Sequence, residues 1–255
     1  MATRTLDSLF ALDGRTALIT GGSSGIGYAI AEALGRQGAR LILVARRGAA
    51  LAQAARSLRA MGIDVTTISG DLAASDGPDR IIDRLRDPVD ILVNAAGINL
   101  RQRFDDVSLD AFDRHMAVHL RAPFRLVQCL APAMAQRRFG RVIMLGSLQS
   151  VRAMPNSAPY GAAKGGVIQL TRAIAERWSS EGITCNAIAP GFFPTALTAA
   201  VFADEAVRVE NARRTAIGRN GTLHDLFGVA IFLASDASAY ITGQTLFVDG
   251  GYTAK

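Results

Sequence analysis

Apolar residues occur along the chain in short unbroken runs, separated by longer stretches in which they recur every three or four positions. After the first run, Ile26, Ile30 and Leu34 lie on one face of a predicted helix. Seven runs are predicted strands: Thr16 to Thr20, Arg40 to Ala45, Val65 to Ser69, Val89 to Asn94, Arg141 to Leu145, Thr184 to Ala189 and Thr245 to Val248. The stretches between them predict helices near 26–36, 49–61, 78–85, 109–137, 158–180 and 223–234.

Strands that are apolar throughout and alternate with helices indicate a parallel sheet with helices on both faces. We therefore predict an α/β fold, a single doubly wound Rossmann-type domain with a seven-stranded parallel sheet, over 1–255. No internal repeat or linker rich in Pro and Ser divides the chain. The least regular segment, 191–220, is long for a connection, and because such segments are often functional we expect a substrate lid there.

Composition narrows the class of protein. The start of the chain, Met1 to Leu12, lacks the apolar stretch of a signal peptide, and no window approaches the roughly 18 apolar residues of a membrane span. We therefore expect a cytoplasmic protein that binds no membrane. The net charge is +6, but the basic residues are scattered, so no nucleic-acid surface is expected. Cys129 and Cys185 lie far apart in apolar surroundings, which favours reduced thiols over a disulfide or a metal site.

A glycine-rich segment, Thr20-Gly21-Gly22-Ser23-Ser24-Gly25-Ile26-Gly27, follows the first predicted strand. Gly21 allows a sharp turn, Gly25 allows the backbone to approach a pyrophosphate, and Gly27 allows the helix to pack on the sheet. The helix N-terminus offers free N–H groups to the anion. The order of strand, glycine turn and helix therefore predicts a dinucleotide site. The other candidates for cofactor binding in this loop are Ser23, Ser24 and Ile26.

The spacing Gly-x3-Gly-x-Gly differs from the commoner G-x-G-x-x-G, and with it the chain resembles the short-chain dehydrogenase/reductase family. The resemblance covers nearly the whole chain and rests on the glycine loop, Asp71-Leu72, Asn94-Ala95-Ala96-Gly97, Ser147, Tyr160-Gly161-Ala162-Ala163-Lys164, Pro190-Gly191 and the ending Gly243 to Gly251. It implies further cofactor contacts at Asp71, Leu72, Asn94, Ala95, Gly97, Tyr160, Lys164, Pro190, Gly191 and Thr195. In this resemblance Asp71 and Leu72 flank the adenine and Thr195 binds the carboxamide. Asn94 either braces the sheet beside the cofactor or only caps backbone groups.

The end of the second predicted strand, Val44-Ala45-Arg46-Arg47, bears on the choice of nicotinamide cofactor. NAD sites usually carry a carboxylate here, which would repel a 2′-phosphate. Ala45 leaves room instead, and an arginine fork at Arg46 or Arg47 can hold phosphate through two bonds. NADP is therefore predicted, with NAD as the alternative if the arginines only point into water. Ser24 stands where some NADP-using relatives carry a further basic residue.

Tyr160 and Lys164 lie four residues apart in a predicted helix, so their side chains share one face. The ammonium group and an oxidised nicotinamide would have to lower the pKa of the phenol by roughly 3 units, or about 4 kcal/mol. Tyr160 is then expected to take a proton from an alcohol or give one to a carbonyl. Ser147 is expected to hydrogen-bond the substrate oxygen. The resemblance implies that Lys164 also holds the nicotinamide ribose.

One position departs from the family pattern. Many relatives carry an asparagine in the helix after the fourth strand, within a Val-Asn-Leu-type segment, where it holds a water in the proton path. The matching stretch here is Ala117-Val118-His119-Leu120, so His119 takes that place and is a candidate catalytic residue. A histidine can hold a water or relay a proton near neutral pH. The alternative is a neutral imidazole bonded to backbone in a packed helix.

The resemblance places the substrate between the loop after Gly97, the segment 150–154 and the lid after Phe192. Arg101, Arg103 and Arg152 are candidate partners for a substrate carboxylate, although exposed arginines are more often solvated.

The segment around Ala96 to Gln102 resembles gluconate 5-dehydrogenases and related sugar-acid or polyol dehydrogenases. The predicted function is therefore hydride transfer between NADP(H) and a small alcohol or carbonyl substrate of that class. Two alternatives stay open, a 3-oxoacyl thioester reductase and a catalytically silent NADP-binding regulatory protein. Relatives are commonly homotetramers, and the apolar stretches 126–134 and 168–174 serve either such an interface or the core.

Overall fold

Seven strands form one sheet: β1 Thr16–Thr20, β2 Arg40–Ala45, β3 Val65–Ser69, β4 Ile91–Asn94, β5 Gly140–Leu145, β6 Ile183–Pro190 and β7 Thr245–Val248. Their order is β3-β2-β1-β4-β5-β6-β7, and every neighbouring pair is parallel. The computed structural model describes residues 6–255, so the first five residues of the predicted domain lie outside it. The predicted fold class and all seven predicted strands are confirmed, with β4 beginning at Ile91 rather than Val89.

Helices cover both faces of the sheet. They are α1 Leu6–Phe10, α2 Gly25–Arg36, α3 Gly48–Ala60, α4 Gly77–Ile82, α5 Leu109–Met116, α6 Ala122–Gln136, α7 Ala158–Trp178, α8 Ala199–Ala203, α9 Glu205–Arg213 and α10 Phe227–Ala234. Successive strand residues point to opposite faces, so Ile19 of β1 packs in an apolar cluster with α2, α3 and α10. Leu18 packs in a second cluster with α4, α6 and α7. The doubly wound arrangement follows from these two cores.

The order of the strands reverses at β1, although all seven strands run parallel. Thr20, the last residue of β1, pairs with Val44 of β2 on one side and with Asn94 of β4 on the other. The connections leaving β1 and β4 therefore run to opposite sides, which opens a crevice at the carboxyl edge of the strands. The glycine-rich segment leads out of β1 directly into this crevice.

The predicted helix over 109–137 is interrupted, which corrects that prediction. Between α5 and α6 the five residues Ala117–Arg121 form a π-helical turn. Pro123, in the first turn of α6, has no N–H to donate to the carbonyl of His119, and its ring crowds that carbonyl. A wider turn at this point avoids the conflict. The predicted helix over 223–234 likewise begins as a 3₁₀ turn, Leu223–Leu226, ahead of α10.

The segment 191–220 is more regular than its sequence indicates. It contains a 3₁₀ turn, Ala196–Thr198, followed by α8 and α9. Val207 and Val209 of α9 are two positions apart and exposed, so the helix shows no apolar stripe in the sequence. None of the helices within residues 6–255 combines the length and the apolarity that a membrane span requires.

Candidate active site and nucleotide cleft

A cleft of about 480 Å³ lies at the carboxyl edge of β1, β2 and β4, a volume suited to a small-molecule or cofactor site. Most of the predicted cofactor residues line it: Gly21, Ser23, Ser24, Gly25, Ile26, Gly27, Arg46, Arg47, Asp71, Leu72, Ala95, Gly97 and Thr195. These residues come from five separate parts of the sequence. The fold therefore brings together the residues that the motifs single out.

The turn after β1 depends on the absence of side chains at Gly21 and Gly27. Gly21 has a φ of 69°, its N–H donates to the carbonyl of Val44 at 2.8 Å, and a Cβ there would lie 2.8 Å from the carbonyl oxygen of Ala95. A Cβ on Gly27 would collide with the carbonyl of Gly21. Gly25 has a φ of 57° and faces Thr195 across the cleft, where a Cβ would approach the threonine to 3.3 Å. Each glycine is thus required by the local geometry.

The N-terminus of α2 fits an anionic group. Ser24 occupies the N-cap position in an extended conformation, but its hydroxyl accepts no hydrogen bond from the helix. The first N–H groups of α2 are therefore not occupied by that side chain, and the helix dipole adds partial positive charge at the same end. A pyrophosphate is the group that such a glycine turn and helix end bind well.

Arg46 and Arg47 line the cleft at the end of β2, and both are exposed. Neither forms an ion pair within residues 6–255. Ala45 beside them places no charge in the cleft. On the same side, the carboxylate of Asp71 accepts from the N–H of Ala73 at 3.0 Å, and Leu72 is buried. The arrangement offers two free guanidinium groups to an anion, as the sequence predicts.

Ser147 follows β5 and is held in a fixed orientation. Its Oγ accepts from the N–H of Gln149 at 3.1 Å, and its own N–H donates to Ser150 Oγ at 3.1 Å. The hydroxyl of Ser150 donates in turn to the carbonyl of Lys164 at 2.8 Å. This reciprocal capping ties the turn after β5 to the first part of α7. The hydroxyl proton of Ser147 takes no part in this capping and can be donated to another acceptor.

Tyr160 and Lys164 share the buried face of α7, as their spacing predicts. Lys164 Nζ donates to the carbonyl of Leu145, the last residue of β5, at 2.6 Å and lies 5.6 Å from the centroid of the Tyr160 ring. Tyr160 is 8% exposed and Lys164 is 4% exposed. Ser147, Tyr160 and Lys164 thus converge where β5 ends.

Burial governs the ionisation of this pair. Desolvation lowers the pKa of Lys164 from its ordinary 10.5 to about 7. Burial raises the pKa of Tyr160, and a hydrogen bond with Ser147 opposes that rise. In the chain alone burial is therefore the largest influence on the pKa of the phenol, and the lowering of that pKa by Lys164 together with an oxidised nicotinamide stays a prediction. In the chain alone, the group that favours phenolate is Ser147.

His119 lies in the π-helical turn and is 2% exposed. Its Nε2 lies 2.9 Å from the carbonyl oxygen of Ile98, and its Nδ1 is buried without a partner within the described residues. Burial first, and then the charge of Lys164, lowers the pKa of His119 well below its usual value. The imidazole is therefore neutral around pH 7, and its unpaired Nδ1 can accept a hydrogen bond.

Five of the predicted cofactor residues do not line the cleft, and they are Asn94, Tyr160, Lys164, Pro190 and Gly191. Asn94 is buried at the end of β4, where its Nδ2 contacts the sulfur of Met144 at 3.3 Å and its Oδ1 has no partner within the described residues. Gly191 lines a separate cavity beside Asp249, where a Cβ would lie 2.8 Å from Asp249 Cα. Pro190 is the last residue of β6 and is buried.

Several residues that line the cleft were not predicted as site residues. They are Val44, Gly70, Ile98, Asn99, Leu100, Val118, Ala196 and Leu197. The loop Ile98 to Leu100 is positioned by two histidines, since the N–H of Leu100 donates to His115 Nε2 at 3.2 Å and His119 binds at Ile98. The spacing of the histidines, one helical turn apart, is the signal in the sequence that points to this wall.

Known proteins resemble this chain over nearly its whole length. A family model described as enoyl-(acyl carrier protein) reductase matches residues 21–253. A gluconate 5-dehydrogenase of Gluconobacter oxydans is 39% identical over 248 residues, which cover 96% of this chain and 97% of that protein. A gluconate 5-dehydrogenase structure from Burkholderia cenocepacia, in complex with NADP and tartrate, is 39% identical with a TM-score of 0.91, covering 98% and 100% of the two chains. A 3-oxoacyl-(acyl-carrier-protein) reductase structure from Agrobacterium tumefaciens with NADP bound is 32% identical, with a TM-score of 0.93 and 99% of both chains covered.

Proposed function

Because this chain belongs to the short-chain dehydrogenase/reductase family, we propose that it transfers hydride between NADP(H) and the secondary alcohol or ketone carbon of a sugar acid or polyol. The observation that carries the proposal is the convergence of Ser147, Tyr160 and Lys164 at the end of β5, beside a cleft built for a dinucleotide. A bound nicotinamide supplies or accepts the hydride. The protein supplies the proton, the orientation of the substrate and the exclusion of water.

Tyr160 is the proton-transferring residue in this proposal. Its phenol gives a proton to the carbonyl oxygen in reduction, and its phenolate takes one from the hydroxyl in oxidation. Ser147 donates to the same substrate oxygen through the hydroxyl that hydrogen-bonds Tyr160 in the chain alone, while its Oγ still accepts from the N–H of Gln149. Lys164 donates to the carbonyl of Leu145, lies near the ring of Tyr160 and would hold the ribose of a bound nicotinamide.

NADP as the cofactor is supported by Arg46 and Arg47, which are exposed in the cleft and unpaired within the described residues. A 2′-phosphate would receive charge-assisted hydrogen bonds from either guanidinium group. The Burkholderia cenocepacia relative is a complex with NADP. Gly21, Gly25, Gly27 and the N-terminus of α2 would hold the pyrophosphate, and Asp71, Leu72 and Thr195 the adenine and carboxamide ends.

We favour a sugar acid or polyol over a 3-oxoacyl thioester as the substrate. The two gluconate 5-dehydrogenases are 39% identical to this chain, whereas the acyl-carrier-protein reductase is 32% identical. Arg101, Arg103 and Arg152 offer positive charge for a substrate carboxylate. The third alternative is a catalytically silent regulatory protein. The presence of Ser147, Tyr160 and Lys164 together argues against it.

The test is turnover with D-gluconate and its keto acid against acetoacetyl thioesters, each with NADP(H) and NAD(H). We expect turnover of the first class with NADP(H) preferred. Turnover of the thioester alone would replace the substrate proposal and leave the reaction type intact. Absence of turnover in a broad screen of carbonyls and polyols would favour the regulatory reading.

Three broader proposals accompany this function. The segment 191–220 acts as a lid, since Thr195, Ala196 and Leu197 reach the cleft while α9 is exposed. Most apolar side chains of the stretches 126–134 and 168–174 pack in the core, so a homotetramer would instead cover the exposed apolar side chains on and beside α5 and α6, which are Phe104, Leu109, Phe112 and Phe124. A cytoplasmic location suits the unpaired Cys129 and Cys185.

A further inference from the structure

A second buried histidine, His115, is 0% exposed and takes no part in the mechanism above. It lies near the end of α5, one helical turn before His119. Buried polar atoms of side chains are normally hydrogen-bonded, so both ring nitrogens of such a histidine need a partner. Both nitrogens have one, and one of the two partners, Leu100, belongs to the wall of the nucleotide cleft.

The two hydrogen bonds of His115 fix the position of its ring proton. Nδ1 lies 2.7 Å from the carbonyl oxygen of Ala111, which only accepts, so Nδ1 carries the proton. The N–H of Leu100 donates to Nε2 at 3.2 Å, so Nε2 carries none. Both nitrogens are therefore engaged with backbone groups, and His115 serves as an anchor for the backbone rather than as a carrier of protons.

His115 and His119 hold the two ends of the loop Ile98 to Leu100, which lines the cleft. His115 binds the N–H of Leu100, and His119 binds the carbonyl of Ile98 at 2.9 Å. Only one residue separates these two anchored positions, so loss of the bond at Leu100 is expected to loosen the partner of His119 as well.

The rings of the two histidines also pack on one another. Their centroids are 6.0 Å apart and their planes differ by 23°, and His115 meets the ring of Tyr160 edge-on at 6.4 Å. His119 lies in the π-helical turn, where wider hydrogen bonds replace the regular ones of an α-helix. The ring of His115 therefore supports the ring of His119 from the more regular helix that precedes it.

We propose that His115 is a positioning residue for proton transfer. It holds the loop Ile98 to Leu100 by its hydrogen bond and the ring of His119 by stacking, and thereby keeps His119 against the ring of Tyr160. His115 itself does not line the cleft. This inference rests on the proposed function and deepens it, because it adds a residue that acts on the proton-transferring group through His119.

The order of activity among variants of His115 tests the proposal. Glutamine places its amide oxygen near the position of Nε2 and can accept from Leu100, whereas phenylalanine keeps the ring and loses both hydrogen bonds. We expect kcat of His115→Gln to stay within about threefold of the wild type and kcat of His115→Phe to fall about tenfold, the loss of one hydrogen bond. The KM for the substrate should change less than about twofold in both. A role in packing alone predicts the reverse order, since phenylalanine preserves the stacked ring and glutamine does not.

Two further variants complete the set. Asparagine places its amide near Nδ1, so His115→Asn keeps only the bond with Ala111 and should lower kcat as His115→Phe does, which preserves the comparison if His115→Phe does not fold. Thr171→Val is the matched control, because Thr171 is 0% exposed and donates to the carbonyl of Val167, four residues earlier, at 2.8 Å. Its loss should leave kcat unchanged. An equal kcat in the glutamine and phenylalanine variants, or an equal fall in Thr171→Val, would show that the inference is wrong.

Combination with His119→Asn shows whether His115 acts through His119. In that background the ring that His115 positions is absent, so His115→Phe should lower kcat by less than about twofold. A fall of the same size in both backgrounds would mean that the two residues act independently and would overturn the inference.

Nitrogen NMR of the histidine rings separates this inference from the proposed function. The ring signals report which nitrogen carries the proton, and the chain has three histidines, so the signals can be assigned. We expect His119 to carry its proton on Nε2 in the wild type and in His115→Gln, and to exchange it between both nitrogens in His115→Phe.

The outcomes of turnover and NMR are independent. If no substrate is turned over but the ring of His119 follows this order, the proposed function fails and the positioning of His119 stands. If turnover is found and His119 keeps its proton on Nε2 in His115→Phe, the inference is overturned and the function stands. No turnover together with unchanged ring signals overturns both.

Discussion

The imidazole of His119 meets the ring of Tyr160 edge-on, with 5.3 Å between the ring centroids and 87° between the planes. The contact is a favourable aromatic geometry, and it seals one side of the phenol from water. Burial is the largest influence on the pKa of Tyr160, and the bulk of His119 contributes to that burial.

His119→Asn should therefore keep activity and shift its pH dependence. The smaller side chain admits water to the phenol, so burial raises the pKa of Tyr160 less, and the acid limb of alcohol oxidation should move to lower pH. The measurement is kcat/KM for oxidation against pH, with His224→Asn, an exposed site, as the control. Superposable profiles would remove His119 from the proton path.

Tyr160→Phe should lower kcat about 1,000-fold, the usual range for loss of a general acid or base. Phenylalanine fills the same space, so the Kd for NADPH should stay within about twofold. Steady-state kinetics and fluorescence titration provide the two values. Tyr240→Phe, at a fully exposed site, should have no effect on either. Retained activity in Tyr160→Phe would show that the proposed mechanism is wrong.

Arg46→Ala combined with Arg47→Ala should raise the KM for NADP about tenfold or more while leaving the KM for NAD nearly unchanged. Each arginine removed takes away charge-assisted hydrogen bonds to a 2′-phosphate, worth about 1.5–3 kcal/mol for each bond. Arg172→Ala, on the exposed side of α7, controls for the change in net charge. Equal losses with both cofactors would place the arginines outside phosphate recognition.

Lys164→Met should change how stability depends on pH. Between a pKa of about 7 in the fold and 10.5 in the unfolded chain, the unfolded state binds one proton more than the native state. The free energy of unfolding of the wild type should therefore rise with pH in this window, relative to the variant, by about 1.4 kcal/mol per pH unit. Below the window the two curves should run parallel.

Denaturant unfolding at several pH values provides this comparison. Lys255 is exposed, so Lys255→Met serves as the control and should show no added slope. A constant difference between wild type and Lys164→Met from pH 7 to pH 10 would mean that Lys164 keeps its proton in the fold.

The sequence predicts the sheet well because most of the strands are apolar on both faces, a pattern typical of a parallel sheet covered by helices. It also predicts the glycine turn and the pair Tyr160 and Lys164, since these depend on fixed spacings within one element. The direction of the Tyr160 pKa could not be predicted in the same way. Spacing reveals the neighbouring charge of Lys164 but not the depth of burial, which is larger in effect.

Other parts of the site depend on contacts between distant segments. Asn94 follows the motif, yet its amide lies against Met144 of the neighbouring strand, and no local pattern indicates that contact. Gly191 is separated from the cleft by the path of the chain after β6. The π-helical turn is hidden for a different reason, because its apolar residues continue the periodicity of α5 and α6 on either side.

The number of residues in the π-helical turn Ala117–Arg121 fixes how α5 is rotated relative to α6, and the site depends on that rotation. A uniform α-helix advances about 100° per residue, so deleting one residue in this turn would rotate α5 about its axis relative to α6 by that amount. His115 would then lose Leu100, and His119 would lose Ile98. In an alignment this stretch should therefore tolerate exchanges of residue type far better than it tolerates gaps.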